Sequence, residues 1–345
     1  MVSNPKRNLR KGCTLTLPVI NSHNSWSQLE EVWLGDVYPS SWYDHLIPEV
    51  RDVFYKLTEI TQEDLSKIEQ TLKSFDVTVC RPKYTDIGNF VLDNGQLLKP
   101  SICPRDDFVV IGNDLYTVPN PLPQWDHVLD QYQLDTRSRI LPRFAHFLNG
   151  ANVVRAGRDI VIDTDVFDWQ YNNELPDYRV QLVKNGGHLD GCFAILKPGL
   201  ILANHYFNDY EKTFPGWEII LLNNPTYRAA PNIGYRQPYP VYNGKFWDTT
   251  VGTNRSFNDH IIKHALDWVG DYTETYFELN CLVINERNVI MLAENELLAE
   301  ELSRHGITVH WVPFRTRSFW DGAMHCLTLD IRRQSSIVDY FPQRG

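Results

Sequence analysis

The chain has 345 residues, 43% of them apolar and 12% aromatic, which supplies the core of one large domain or two ordinary ones and makes a globular protein the default. Its net charge of −10 is spread without a basic stripe, which argues against nucleic acid and anionic membrane as partners. No apolar run approaches the roughly 18 residues a membrane helix needs, and the N-terminal MVSNPKRNLRKG lacks the apolar stretch of a signal peptide, so a cytoplasmic protein is expected.

In chain order, TQEDLSKIEQTLKSFDVTVCRP (61–82) reads as a helix followed by a strand. A recurring unit comes next: a short apolar strand, a tight turn, and a second apolar strand. It appears at 107–118, 152–163, 192–203 and 281–292, and a last half appears as HCLTLDIRR at 325–333. An aromatic, proline-rich stretch at about 223–257 interrupts the spacing and reads as an insertion in a single 1–345 domain, in the position of a lid. In ENELLAEELSRHGITVHWVPF, Asn295 can cap a helix, Gly306 can stop it, and ITVHWV resumes as strand. A strand-strand-helix-strand module repeated at least four times suggests an α/β fold with modules arranged radially around a central channel.

Three segments carry candidate chemistry. In KNGGHLDGCFAILKPG (184–199), His188 and Asp190 are one residue apart; on a strand they share a face, and the glycines before them permit close approach of a ligand. By itself this pattern is more often a core histidine held by a carboxylate. SICPRDDF places Asp106 beside Cys103, and SFWDGAMHCLTLDIRR places Cys326 after a turn, at the rim of the last module. If Cys326 opens a strand, His325 faces away from it, and His188 is the better base. A cysteine, a histidine and carboxylates projecting into one space suit thiolate attack on a cationic substrate, whose charge helps to lower the thiol pKa. Six cysteines, at 13, 80, 103, 192, 281 and 326, show neither CxxC nor zinc spacing, and nothing calls for a disulfide, metal or cofactor.

The motifs NSWSQLEEVWLGD (24–36), CPRD (103–106), NGANVVRAGRDI (149–160), GHLD (187–190), KPGLILAN (197–204), LNCLVINERNVIMLAENE (279–296) and GAMHCLTLDIRR (322–333) resemble the amidinotransferases of the pentein superfamily, the group that contains glycine amidinotransferase and inosamine-phosphate amidinotransferase. The resemblance covers nearly the whole chain. It implies a five-module α/β propeller with a central active-site channel. By motif matching it implies Cys326 as the residue that carries the amidino group, His188 as acid and base, and Asp106 and Asp190 as the carboxylates that grip a guanidinium.

Two departures stand out. Asn149 occupies the position of a family aspartate that supports the catalytic histidine; an amide accepts a hydrogen bond from imidazole but brings no charge to stabilise imidazolium. Phe207 stands where arginine-using relatives bind the donor carboxylate with an arginine, and Thr273 and Glu274 replace a Ser-Ser pair; a glutamate there repels a carboxylate. Arg228, Arg236 and Lys245 of the insertion are candidate substitutes. The expected function is amidino transfer from a guanidino donor, arginine on family grounds, to an amine acceptor. The alternatives are a guanidine hydrolase, because arginine dihydrolases also use an asparagine among their catalytic residues, and a guanidino-binding protein with weakened turnover. Partners are small molecules, with a homodimer as the commonest oligomeric prior.

Overall fold

The structure, a computed structural model, describes residues 19–84, 96–117, 123–132, 139–142, 149–163, 175–184, 188–204, 210–223, 241–247, 251–270, 277–292 and 294–344. It is mixed α/β, and its described strands form five three-stranded sheets and one two-stranded hairpin.

The first strand, β1 (Leu29–Leu34), is followed by helix α1 (Pro48–Lys73), which starts well before residue 61 because Pro48, with its fixed φ and missing N–H, suits a first helical turn. Its buried positions include Val50, Phe54, Leu57, Leu65, Ile68 and Leu72, a single helical stripe that packs into the core. The chain then returns as β2 (Thr78–Cys80), parallel to β1. Three hairpins follow the same plan: an antiparallel pair, then a third strand parallel to the second. They are β3 (Phe108–Ile111), β4 (Asp114–Thr117) and β5 (Arg139–Pro142); β6 (Val153–Ala156), β7 (Asp159–Asp163) and β8 (Arg179–Val183); and β9 (Phe193–Lys197), β10 (Leu200–Ala203) and β11 (Glu218–Leu221). A small hairpin, β12 (Val241–Tyr242) and β13 (Lys245–Phe246), lies in the expected insertion, whose residues 224–240 and 248–250 fall outside the described residues. The last repeat is β14 (Leu282–Asn285), β15 (Asn288–Met291) and β16 (Thr308–Trp311), with a helix at Glu296–Arg304 between its final two strands. Asn295 caps that helix by accepting from the Leu298 amide at 3.1 Å.

The half unit at the end of the chain, β17 (Thr328–Arg333), pairs antiparallel with β1, Val32 facing Asp330 and Leu34 facing Thr328. The first sheet is therefore built from both ends of the described chain. The tight hairpin turns depend on glycine where φ is positive: at Gly157, φ is 70°, and a Cβ would lie 2.1 Å from the Val338 carbonyl oxygen. Aromatic stacking joins neighbouring sheets, with Trp33 of β1 against Trp125 at 4.8 Å and edge-on to Phe108 of β3 at 5.1 Å. No helix among the described residues is long and apolar enough to cross a membrane.

Two local expectations are corrected. His188 and Asp190 are not on a strand: Leu189–Gly191 form a 3₁₀ turn, and β9 begins only at Phe193. Nor does Cys326 open a strand. Residues 324–327 form a turn in which the Leu327 amide donates to Ala323 O at 2.9 Å, and β17 starts at Thr328. Strand alternation therefore does not govern where either histidine points.

Candidate active site

Short turns ahead of the strands bring the candidate residues together. Asp106 ends the 3₁₀ turn Pro104–Asp106 before β3, Asn149 precedes the turn Gly150–Asn152 before β6, and His188 and Asp190 sit at the turn before β9. Cys326 lies in the turn before β17. The turns before β3, β6 and β9 pack against one another, which brings the residues at their ends close together.

Cys326 is at the centre of this convergence. Its thiol donates to Asp190 Oδ2 at 3.4 Å and accepts from Asn280 Nδ2 at 2.9 Å. Asp190 is buried, and its Oδ2 also accepts from His325 Nδ1 at 2.8 Å, while Oδ1 has no hydrogen-bond partner among the described residues. A carboxylate only accepts, so the proton of His325 sits on Nδ1. Gly322 brings a second thiol close: a Cβ there would meet Cys103 Sγ at 3.0 Å and Cys326 Cβ at 3.1 Å. The preceding Asp321 is held at a φ of 55°, a left-handed conformation costly for a residue with a side chain.

The electrostatics follow from burial and from these neighbours. Burial raises the Cys326 thiol well above its ordinary value, the charges of Asp190 and Asp106 add to that, and the Asn280 hydrogen bond opposes it. Burial would raise Asp190 too, but the His325 hydrogen bond and the fields of His325, His188 and Arg105 outweigh it and hold the carboxyl below its usual value. Burial and the nearby Arg105 lower His325, which favours neutral imidazole. Lys99 adds a cation. Burial disfavours its charge, yet Cys103, Asp106, Asp321 and Cys326 together hold its ammonium above the ordinary lysine value.

The structure thus groups Cys326, Asp190 and Asp106, with His188 in the field of Asp190. Asn149 is engaged differently from the expected imidazole contact: its Oδ1 accepts from the Ala151 amide at 2.8 Å and caps its own turn. Asn152, the last residue of the same motif, reaches across instead and accepts from the Leu189 amide at 3.1 Å, inside the His188–Asp190 turn. Thr273, Glu274, Phe207, Arg228 and Arg236 lie outside the described residues, and Lys245 lies on β13. Sequence reasoning missed His325, Asn280 and Lys99. The adjacency of His325 to Cys326 is visible in the sequence, but strand alternation, which points the two apart, does not apply in a turn.

No protein-family model matches the chain. Among curated proteins, it is 24% identical to mitochondrial glycine amidinotransferase of Gallus gallus over 247 residues, covering 67% of this chain and 49% of that protein. With the Xenopus tropicalis enzyme of the same name it shares 23% over 394 aligned positions, covering 93% of this chain and 84% of the relative. The chain thus spans about half the length of the chicken protein in the one match and most of the frog protein in the other. Among solved structures, the saxitoxin-pathway amidinotransferase of Microseira wollei superposes with a TM-score of 0.66 at 20% identity, over 93% of this chain and 99% of that one. The inosamine-phosphate amidinotransferase of Streptomyces griseus gives 0.63 at 19%, over the same shares. The N-terminal domain of a cyanobacterial arginine dihydrolase gives 0.53 at 16%, over 89% of this chain and 98% of that one.

Proposed function

We propose that this chain, which belongs with the amidinotransferases of the pentein superfamily, moves an amidino group from a guanidino donor to an amine through a covalent adduct on Cys326. Arginine is the donor we expect, and ornithine the amine released. The observation that carries the reading is a thiol in hydrogen-bond contact with a buried carboxylate whose second oxygen has no partner among the described residues, in a chain whose relatives by sequence are amidinotransferases. The five sheets are proposed to close as a propeller around this site. In support, β17 returns to β1, and β17 and β1 also touch β3 and β14.

A guanidinium carbon is a poor electrophile because its charge is spread over three nitrogens. Asp190 and Asp106 hold the N–H groups and fix the carbon in line with the sulfur. The same cation cancels the two negative charges that keep the thiol protonated, so donor binding lowers the Cys326 pKa at the moment the thiolate is needed. The thiol proton passes to His188, and the sulfur then bonds to the guanidinium carbon. The carbon–nitrogen bond to the leaving amine breaks, and that nitrogen takes its proton from His188. In the second half the acceptor amine attacks the S-amidino carbon, gives a proton to His188, and the thiolate leaves. His325 holds Asp190 in place through its Nδ1 donor to Oδ2.

The hydrolase reading keeps one specific support: Asn149, in place of an aspartate, in a fold that also resembles an arginine dihydrolase. In that case water replaces the acceptor amine. Incubation with arginine alone, acid-quenched early in turnover, tests the covalent step common to both. An amidino mass increment on the Cys326 peptide, lost in Cys326→Ser, is expected; an adduct on Cys103, Cys192 or Cys281 contradicts the assignment.

A further inference from the structure

Asn280 stands just ahead of β14, and its neighbours Leu279 and Cys281 are both packed in the core, which fixes the backbone between them. It is itself buried, at 6% exposure, and makes three contacts with two successive residues. Its carbonyl oxygen accepts from the His325 amide at 3.2 Å, its Oδ1 accepts from the Cys326 amide at 3.0 Å, and its Nδ2 donates to Cys326 Sγ at 2.9 Å. The direction of the side-chain amide is settled by chemistry: the Cys326 N–H can only donate, so oxygen faces it and NH₂ faces the sulfur.

The two side-chain partners of the sulfur behave oppositely when the thiol ionises. The contact to Asp190 Oδ2 needs the S–H proton, and once that proton leaves it becomes a repulsion between two anions. The contact from Asn280 strengthens, because a neutral N–H then donates to a full negative charge. Asp106 and Cys103 also oppose the thiolate, Lys99 is the cation that favours it, and His325 is held neutral. We propose that Asn280 is a positioning residue for the nucleophile, seating the Cys326 thiol against Asp190 and holding the thiolate after the proton has gone. It rests on reading Cys326 as the nucleophile, but its test uses no guanidino compound, so failure of amidino transfer and failure of this role are read separately.

The experiment is the pH dependence of Cys326 alkylation by iodoacetamide, followed on the Cys326 peptide by mass spectrometry in the full chain. Sulfur–carbon bond formation expels iodide, and the preceding thiol proton goes to buffer, so the midpoint reports ionisation. Asn280→Leu, close in size but without donor or acceptor, is compared with Asn280→Ala and wild type, with circular dichroism and thermal melting to establish folding. A midpoint raised by one unit or more, seen as about tenfold slower alkylation at pH 8, is expected. Asn280→Asp keeps an acceptor for the Cys326 amide yet loses the donor to sulfur, and is also expected to alkylate slowly. An unchanged or lowered midpoint in whichever neutral variant folds overturns the proposal.

Discussion

Arg105 and Asp330 meet at 2.7 Å in the buried centre of the molecule, joining the turn that ends in Asp106 to the strand that follows Cys326. Arg105 also donates through Nε to the His325 carbonyl at 2.7 Å, and the same Asp330 carboxylate receives Arg155 from β6 and Arg333 from β17. Three guanidinium groups converge on one carboxylate, and their remaining donors reach the carbonyls of Val110, Ser27 and Val283. The arginines of CPRD, NGANVVRAG and LDIRR thus hold the turns together while residues beside them face the site.

Asp330→Asn is expected to destabilise the fold by about 3–5 kcal/mol, because it leaves three buried cations without their counter-charge. Urea unfolding checks this. Burial alone would raise the Asp330 carboxyl, but Arg155, Arg333 and Arg105 hold it well below its ordinary value. Its contribution is therefore present above about pH 4 and is lost as pH falls through the folded-state value. The variant should show a flatter stability profile over that acid range than wild type.

Asp106→Asn and Asp190→Asn should each cost about 2–4 kcal/mol in transition-state stabilisation, since each removes a charge-assisted contact to the guanidinium. The two differ from a general loss of structure in one readout. After burial, the Asp190 charge does most to raise the Cys326 thiol, so Asp190→Asn should alkylate Cys326 faster at pH 8 while turning over more slowly. Normal turnover in either variant would make that aspartate structural.

The two histidines should separate by substitution. His325 acts through its Nδ1 donor to Asp190, and asparagine can place an amide donor close to the same point. His325→Asn should retain activity within about tenfold, and His325→Leu should lose more, the loss reflecting about one charge-assisted hydrogen bond. His188→Asn removes the proton shuttle and should lower kcat by about 10²–10⁴. Steady-state kinetics of the three variants checks this, and the reverse ranking would transfer the acid and base role to His325.

The hairpins at 107–118, 152–163, 192–203 and 281–292 were legible because each alternates a continuous apolar run with a tight turn, and all four appear as antiparallel pairs. That HCLTLDIRR pairs with β1 was not, because strand pairing between the chain ends leaves no local signal. In the site, motif matching brought Cys326, Asp190 and Asp106 to one place, but side-chain direction could not be read from a period of two where the chain turns. His325 therefore sits beside Asp190 where alternation points it away, and the Asn149 oxygen caps its own turn where the motif pairs it with imidazole. Asn280 and Lys99 carry no motif chemistry of their own, and only the fold brings them to the sulfur.

Transfer to an amine, rather than to water, is the central claim. The claim rests on the curated relatives, which are amidinotransferases. The measurement supplies arginine labelled in its guanidino carbon, with and without glycine, lysine, ornithine or putrescine, and identifies the labelled products. Ornithine release that depends on an added amine, with the label recovered on that amine, is the predicted result. Labelled citrulline, ammonia-linked release of labelled carbon dioxide, or ornithine formed at an undiminished rate without any amine would contradict it.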